Sequence, residues 1–372
     1  MKSNYKALYE LVERIDERNS DGSVTDLLGV SIDKCFIKSV ANTNGTDLTK
    51  YKVIRKDDFA VSLMQVSRDS KIPVARLDEY DKAIMSPAYP IFRVKDKKVI
   101  LPEYLDMWFK RPEFDREAAF IAVGGVRGSM PWEEFEKMQL PVPPIEEQLE
   151  IVASYKAITD RIALKRRIND NLEAAMRALF EHFVVSNEAY DFDEAIDDKI
   201  AFINGLAMQN YRPEKDETPI PVIKIRELSQ GYCDENSEFC SNHIDKSHII
   251  QNGDLVFSWS GSLQASFWTS QTAGLNQHLF KVQSDEYPLW FVYEWVTFHL
   301  LNFQRIAENK GTTFGHIKRE DLHNAKIKSV GIDEINKLNN LFQPLLNTII
   351  ANSTELHSLM NYQRVLLARL SR

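Results

Sequence analysis

Two stretches of this chain carry apolar residues at alternating spacings of four and three. In the first these are Ile151, Tyr155, Ile158, Ile162, Leu172, Met176, Leu179 and Phe183, with Lys165 and Asn169 as the polar members. In the second they are Leu338, Phe342, Leu345, Ile349, Leu356, Leu359, Leu366 and Leu370, with Asn352 and Gln363 polar. A 3.5-residue period held over that length keeps one seam facing a partner helix, whereas the apolar face of an ordinary amphipathic helix would drift. The pattern predicts two long helices that pair with each other, each about 50 Å long at 1.5 Å per residue. Separate packing of each helix on its own domain is the alternative. Pro344 stands where the first stretch has Ala157 and is expected to kink the second helix or mark its true start.

The two stretches belong to a longer repeat. At a constant offset of 187 positions Gly124 matches Gly311, Gly128 matches Gly315, Glu133 matches Glu320, Ile145 matches Ile332, Leu172 matches Leu359 and Arg177 matches Arg364. Two tandem copies of one unit imply a pseudo-twofold axis, which suits a target that is itself two-part, such as DNA. Ahead of each long helix the order of signals is the same. Residues 5–18, with Tyr5, Leu8, Leu11, Val12 and Ile15 apolar, predict a short amphipathic helix. Short β-type runs follow at 52–54, 59–63 and 91–94, broken by Asn, Gly, Asp and Pro, with a helical patch near 104–109. The second copy repeats this with runs at 221–225, 254–258 and 278–282 and a helical patch at 290–303. Each copy reads as an α+β globe leading into a long helix.

Composition narrows the class. A chain of 372 residues, 44% hydrophobic, is long enough for two or three domains with real cores. No apolar run reaches the roughly 18 residues of a membrane span, and the N-terminus lacks a signal-peptide core, so a cytoplasmic protein without membrane contact is expected. Cys35, Cys233 and Cys240 form no disulfide framework and suit a reducing compartment. The net charge is −8, with the excess acid in the second copy, where six acids fall between Glu188 and Asp198. Nucleic-acid binding depends on the charge lining a groove rather than on the sum, so this balance predicts weak binding by the chain alone and phosphate contact shared with partner subunits.

Catalytic signatures are missing from the sequence: it has no Walker A motif, no GxGxxG and no nucleophile elbow. Cys233, Cys240, His243 and His248 have the right chemistry for zinc but miss the usual ligand spacings, so no metal is expected. The polar, glycine-bearing links between β runs are better placed to read another molecule. Trp259, Ser260 and Ser262 lie on one, Asn276 and Gln277 on a second, and Thr312, Thr313, His316, Lys318 and Arg319 on a third, whose counterpart in the first copy holds Arg127 and Ser129. Amide side chains suit adenine, Arg and Lys suit guanine, and small residues let backbone amides approach phosphate. The alternative is that the glycines merely make turns, with Asn276 and Gln277 satisfying buried backbone.

Pro143-Pro144-Ile145-Glu146-Glu147-Gln148, opening the first long helix, resembles the central repeat of the specificity subunits of type I restriction-modification systems. Gly253-Asp254-Leu255-Val256-Phe257-Ser258, followed by Leu275-Asn276-Gln277-His278, is similar to a target recognition domain of that family. Asp16-Glu17-Arg18-Asn19 through Ser39-Val40-Ala41-Asn42-Thr43 resembles the start of a first such domain, which adds Asn42 and Thr43 to the candidate DNA contacts. The second helix departs from the motif, reading Val330-Gly331-Ile332-Asp333-Glu334-Ile335. The resemblance implies an α+β fold with two tandem target recognition domains, 1–142 (with its N-terminal helix) and 187–329. The two long helices, 143–186 and 330–372, would separate them and pair as an antiparallel coiled coil with pseudo-twofold symmetry. It also implies a non-catalytic subunit that reads a bipartite site in double-stranded DNA, the helices setting the gap between half-sites. Two methyltransferase subunits carrying S-adenosylmethionine would dock through Pro143, Pro144, Glu147 and Gln148, and two restriction/translocase subunits would use ATP and Mg. A structural adaptor spacing two protein-binding globes is the rival reading, and an enzyme with a degenerate site is a second.

Overall fold

Both heptad-patterned stretches are helical in the computed structural model, at Ile145–Phe180 (36 residues) and Ile332–Arg369 (38 residues). The structure describes residues 4–39, 45–64, 66–122, 128–309 and 315–370. The chain divides into two compact units, residues 1–159 with 362–372 and residues 160–361, so each unit holds part of both long helices.

In the second unit the helices pair antiparallel, and the polar seam positions meet one another. Lys165 Nζ donates to Asn352 Oδ1 at 2.6 Å, Asn352 Nδ2 donates to Asn169 Oδ1 at 2.9 Å, and Asn169 Nδ2 donates to the Ile349 carbonyl at 3.2 Å. Glu355 closes the group by pairing with Lys165 at 2.8 Å and with Arg161. Lys165 and Asn352 are counterparts 187 positions apart, so the repeat meets itself across this seam. In the first unit Gln363 Nε2 donates to Thr159 Oγ1 at 2.9 Å, while Leu367 and Leu370 enter the core beside Leu8, Leu11 and Leu140. Buried polar groups that satisfy each other only in one alignment tie the helices to one register, as polar seam residues do in coiled coils.

Two expectations about these helices change. Pro344 does not mark the second helix's start, which lies at Ile332; it sits inside on the exposed side, where water can replace the hydrogen bond its missing N–H would have made. The first helix ends in a π-helical turn, Glu181–Val185, which shifts the phase so that Phe180 and Val184 are buried while Phe183 is 37% exposed.

The two units share one sheet plan. In the first, strands Val12–Ile15, Ile91–Val94, Phe59–Val61 and Val74–Arg76 form an antiparallel sheet in that order. Phe36–Lys38, Leu27–Val30, Lys82–Met85 and Lys52–Arg55 form another, with Leu27–Val30 and Lys82–Met85 parallel. The second unit repeats the plan with Ala201–Asn204, Leu279–Gln283, Leu255–Ser258 and Gln264–Phe267, then Phe239–Cys240, Ile220–Ile223, Ala273–Leu275 and Ile249–Ile250. Its parallel strand pairing, Ile220–Ile223 with Ala273–Leu275, falls in the corresponding place. A two-stranded ribbon completes each unit, Tyr5–Ala7 with Gln139–Pro141 and Phe192–Ala195 with Lys326–Lys328. The helix Leu289–Asn309 buries Trp290 and Trp295 in the second core, Trp290 stacking on Phe342 with ring centroids 4.2 Å apart.

The N-terminal helix expected over 5–18 is not formed. Tyr5–Ala7 and Val12–Ile15 are strands, and one helical turn, Leu8–Leu11, lies between them. Buried Leu8, Leu11 and Val12 fit a helical period, but pairing with strands far along the chain overrides so short a local preference. In the second unit, likewise, the run expected at 221–225 is the strand Ile220–Ile223, and Ile225 already opens a helix, Ile225–Gln230.

The duplicated turn before strands Phe59–Val61 and Leu255–Ser258 explains the Gly-Asp signature. Gly253 has φ 94° and its counterpart Asp57 has φ 69°, both left-handed. The next residue turns its carboxylate inward: Asp58 accepts two hydrogen bonds from Arg93 at 3.0 Å, and Asp254 accepts from Lys281 Nζ at 2.8 Å. Each carboxylate also accepts the backbone N–H three residues earlier, from Arg55 at 3.0 Å and Gln251 at 2.8 Å. A Cβ at Gly253 would meet nothing within 4 Å, so its cost would be purely conformational. Gly253→Ala is therefore expected to lower second-unit stability by about 1–2 kcal/mol without moving neighbours, read from the urea midpoint; no change would show the turn to be indifferent to backbone hand.

Candidate nucleic-acid interface

Three of the singled-out segments of the second unit converge on one surface. Strand Leu255–Ser258 runs into Trp259–Ser262, which lies between the other two. On one side the Ile317 N–H donates to the Trp259 carbonyl at 3.0 Å and the Gly261 N–H to the Gly315 carbonyl at 2.9 Å, with a β-bridge between Ser260 and His316. On the other side the Trp259 N–H donates to the His278 carbonyl at 3.4 Å, and Ser260 Oγ hydrogen-bonds His278 Nδ1 at 3.2 Å. Trp259 is half-buried among His278, Phe280 and His316, with ring centroids 5.8, 5.9 and 6.4 Å away. Its indole N–H has no hydrogen-bond partner among the described residues.

Within this surface the side chains divide by exposure. Ser262, His278 and Lys318 are exposed, while Gln277 and His316 are half-buried. Gln277 Nε2 rests 3.4 Å from His278 Nε2, leaving its amide at the turn's tip. Asn276, by contrast, is buried: its Oδ1 accepts the His278 N–H at 3.3 Å and its own N–H reaches the Ile223 carbonyl at 3.1 Å. Asn276 thus holds the turn in shape, and so does Gly205, where any Cβ would fall 2.2 Å from the Asn276 carbonyl oxygen. Ser260 is also buried. Arg319 bonds inward to the Phe202 carbonyl at 2.7 Å and covers the Phe280 ring at 4.7 Å, leaving Lys318 as the freer cation. The Lys318 N–H is capped by Asp321 at 2.7 Å, which starts the helix Arg319–His323.

The first unit builds the same convergence from other residues. The Val61 N–H donates to the Pro90 carbonyl at 3.1 Å and the Met130 N–H to the Leu63 carbonyl at 2.9 Å, so the segment after strand Phe59–Val61 again lies between two others. Ser129 lies beside that junction, after Gly128 with φ 73°. Asn42, Thr43, Arg127, Thr312 and Thr313 fall outside the described residues. The turn Ser86–Tyr89 occupies the place of Asn276–Leu279, yet it carries no glycine, amide or cation and gave no sequence signal. His278 was visible only as the neighbour of Gln277.

At the start of the first long helix, Pro144 and Glu147 are exposed and Pro143 is half-buried. Gln148 is fully buried: its Nε2 donates to the carbonyls of Val99 at 2.9 Å and Pro143 at 2.8 Å, while its Oε1 accepts the Leu101 N–H at 2.9 Å. The glutamine of the repeat motif therefore ties the helix to its own unit and has no exposed atom to offer a partner. Cys233 and Cys240 are buried, and burial pushes their thiols up to about 12 and about 11. Among the described residues the one grouping of metal-type ligands is Asp197, Asp198 and His323, remote in sequence from both cysteines.

No family model matches the chain. It is 23% identical over 301 residues, covering 74% of this chain and 69% of the other, to the type I restriction enzyme MjaIX specificity subunit of Methanocaldococcus jannaschii. The chain is a relative of the type I restriction specificity subunits. A second match, the EcoBI specificity subunit of Escherichia coli, is 31% identical over 99 residues, which is 26% of this chain and 20% of that one. The fold agrees with a crystal structure of the type I restriction-modification S subunit from M. genitalium, with a TM-score of 0.57 at 12% identity over 99% of this chain and 96% of that one. Among the described residues of this specificity-subunit relative, no helix is long and apolar enough to cross a membrane.

Proposed function

We propose that this chain is the DNA-reading subunit of a type I restriction-modification complex, each unit contacting one half of a bipartite target in double-stranded DNA. The observation that carries this reading is the three-segment surface built twice on one backbone plan but tipped with different side chains, Gln277, His278, Ser262 and Lys318 in one copy and the Ser86–Tyr89 turn in the other. An adaptor or an enzyme would have little physical reason to keep the scaffold while changing both tips. Amide, hydroxyl, imidazole and ammonium groups on loops held by strands are the groups that read base edges and phosphates. The helix Ile145–Phe180, 36 residues or about 54 Å, exceeds one turn of duplex, about 34–36 Å, so it is long enough to set the unread gap between half-sites. Adenine methylation with S-adenosylmethionine and ATP- and Mg-dependent restriction belong, in this reading, to the modification and restriction subunits. Pro143, Pro144 and Glu147 are the motif residues with surface to offer such a partner, and the complex is placed in the cytoplasm.

Single-molecule sequencing of N6-methyladenine in cells with and without the chain, beside its methyltransferase partner, tests the proposal. The expected result is a gapped two-part motif that disappears with the chain. Unchanged methylation with an active methyltransferase would favour the adaptor. Exchanging residues 20–142 for the matching unit of a relative is expected to change one half of the motif and leave the other intact.

A further inference from the structure

The turn that holds Gln277 in the second unit connects strands in fixed places, and those places identify its counterpart. Ala273–Leu275 is third in its sheet and Leu279–Gln283 is second in the other. In the first unit Lys82–Met85 and Ile91–Val94 occupy those positions, and Ser86–Pro90 joins them. Both connections are closed by the same hydrogen bond, Tyr89 N–H to the Ser86 carbonyl at 3.1 Å and Leu279 N–H to the Asn276 carbonyl at 3.0 Å. Ser86 therefore corresponds to Asn276, Pro87 to Gln277 and Ala88 to His278.

The chemistry at the tip is opposite in kind. Pro87 and Ala88 are exposed and wholly apolar, and proline lacks even a backbone N–H. Ser86 Oγ is turned back to accept the Ala88 N–H at 3.4 Å. Buried Lys52 holds the base of the turn by donating to the Tyr89 carbonyl at 3.1 Å, so the tip is presented on a supported stem. The side chains of Pro87 and Ala88 bring no donor or acceptor to a base edge, only apolar surface. The one apolar feature on a base edge in the major groove is the thymine 5-methyl group.

We infer that the first unit reads a thymine methyl through Pro87 and Ala88, whereas the second reads by hydrogen bonds from Gln277 and His278. This rests on the DNA-reading function proposed above. It makes the target asymmetric in chemistry as well as sequence: one half contains a thymine, on either strand, whose methyl contributes to binding.

The test uses the chain in complex with its methyltransferase and duplexes carrying the methylated motif, the first-unit half being assigned by the 20–142 exchange. Each thymine of that half is replaced in turn by deoxyuridine, which lacks only the methyl. One replacement is expected to weaken binding about fourfold, the worth of one buried methyl. Ala88→Gly should bind the thymine duplex as weakly as the wild type binds the deoxyuridine duplex and should itself ignore the replacement. Pro87→Gln, which gives the tip the amide that Gln277 carries in the second unit, should alter the methylated motif at that base pair alone. Indifference of the wild-type complex to every replacement, with sequence-specific binding intact, overturns the thymine contact and leaves the DNA-reading function standing; so does a first half without thymine. Absence of sequence-specific binding by the wild-type complex overturns the function beneath it.

Discussion

Lys34→Met is expected to destabilise the first unit by about 3–5 kcal/mol, the cost of leaving one member of a buried ion pair without its partner. Lys34 sits in the turn between strands Leu27–Val30 and Phe36–Lys38, with a left-handed φ of 62°. Its side chain runs inward, where Nζ pairs with Asp115 at 2.7 Å, donates to the Phe109 carbonyl and lies 5.5 Å from the Phe114 ring. The pair is buried, at 6% and 13% side-chain exposure, and desolvation lowers the Lys34 pKa despite the attraction of Asp115. Methionine keeps the apolar stem and removes the ammonium, so the loss reports the stranded carboxylate, which would retain the Ile72 N–H at 3.1 Å, together with the Phe109 carbonyl left without its donor. Lys34→Met/Asp115→Leu, which removes both charges, should be more stable than the single variant. Hydrogen exchange resolved by segment checks this, since the loss should appear in the first unit; a change below about 1 kcal/mol would mean the pair contributes no more than an exposed one.

Glu294 should make the second unit less stable as the solution becomes less acidic. It lies 2% exposed on helix Leu289–Asn309, and burial pushes its carboxyl up to about 7, with Arg177 opposing and Glu173 reinforcing the rise. In the unfolded chain the group ionises near 4.5, its ordinary value. Above that pH the unfolded state gains by releasing a proton that the folded state retains until about 7. Stability is therefore expected to fall by about 3 kcal/mol between pH 4.5 and 7 and then level off, through this group alone. Glu294→Gln cannot ionise and should flatten that slope, with its largest gain over wild type above pH 7. Urea midpoints of both proteins across pH 4.5–8 decide it, and parallel curves would exclude Glu294 as the source.

How much of this was legible in the sequence follows from how local each feature is. The long helices, their pairing and the polar seam residues could be read, because a buried stripe recurs at the period of the helix itself and Lys165, Asn169, Asn352 and Gln363 interrupt it where partners are needed. The shift from Phe183 to Val184 escaped notice, since a π turn changes phase without a distinctive residue. Residues 5–18 misled for a related reason: a three-residue strand and one helical turn leave too short a pattern to separate periods of two and 3.6. In the candidate interface, Asn276 and Gln148 looked like contacts because polar residues in conspicuous motifs suggest binding. Both are instead buried and consumed in holding backbone. The Pro87–Ala88 turn was invisible for the converse reason, having no chemistry to attract attention until strand order identified it as the counterpart of Gln277–His278.

The sequence by itself determined the duplication, the alternation of globe and helix, and the pairing of the two long helices, all of which rest on periodic burial; the register of that pair came from the structure, where the polar seam residues meet. Only the tertiary structure decided that Trp259–Ser262, Gly315–Ile317 and Asn276–His278 share one surface, and which of their side chains face out. The physical reason is that this convergence is made by backbone hydrogen bonds between segments distant in the chain. Those bonds are available to almost any residue, so the pairing that unites the segments leaves little trace in the identities of the residues it joins.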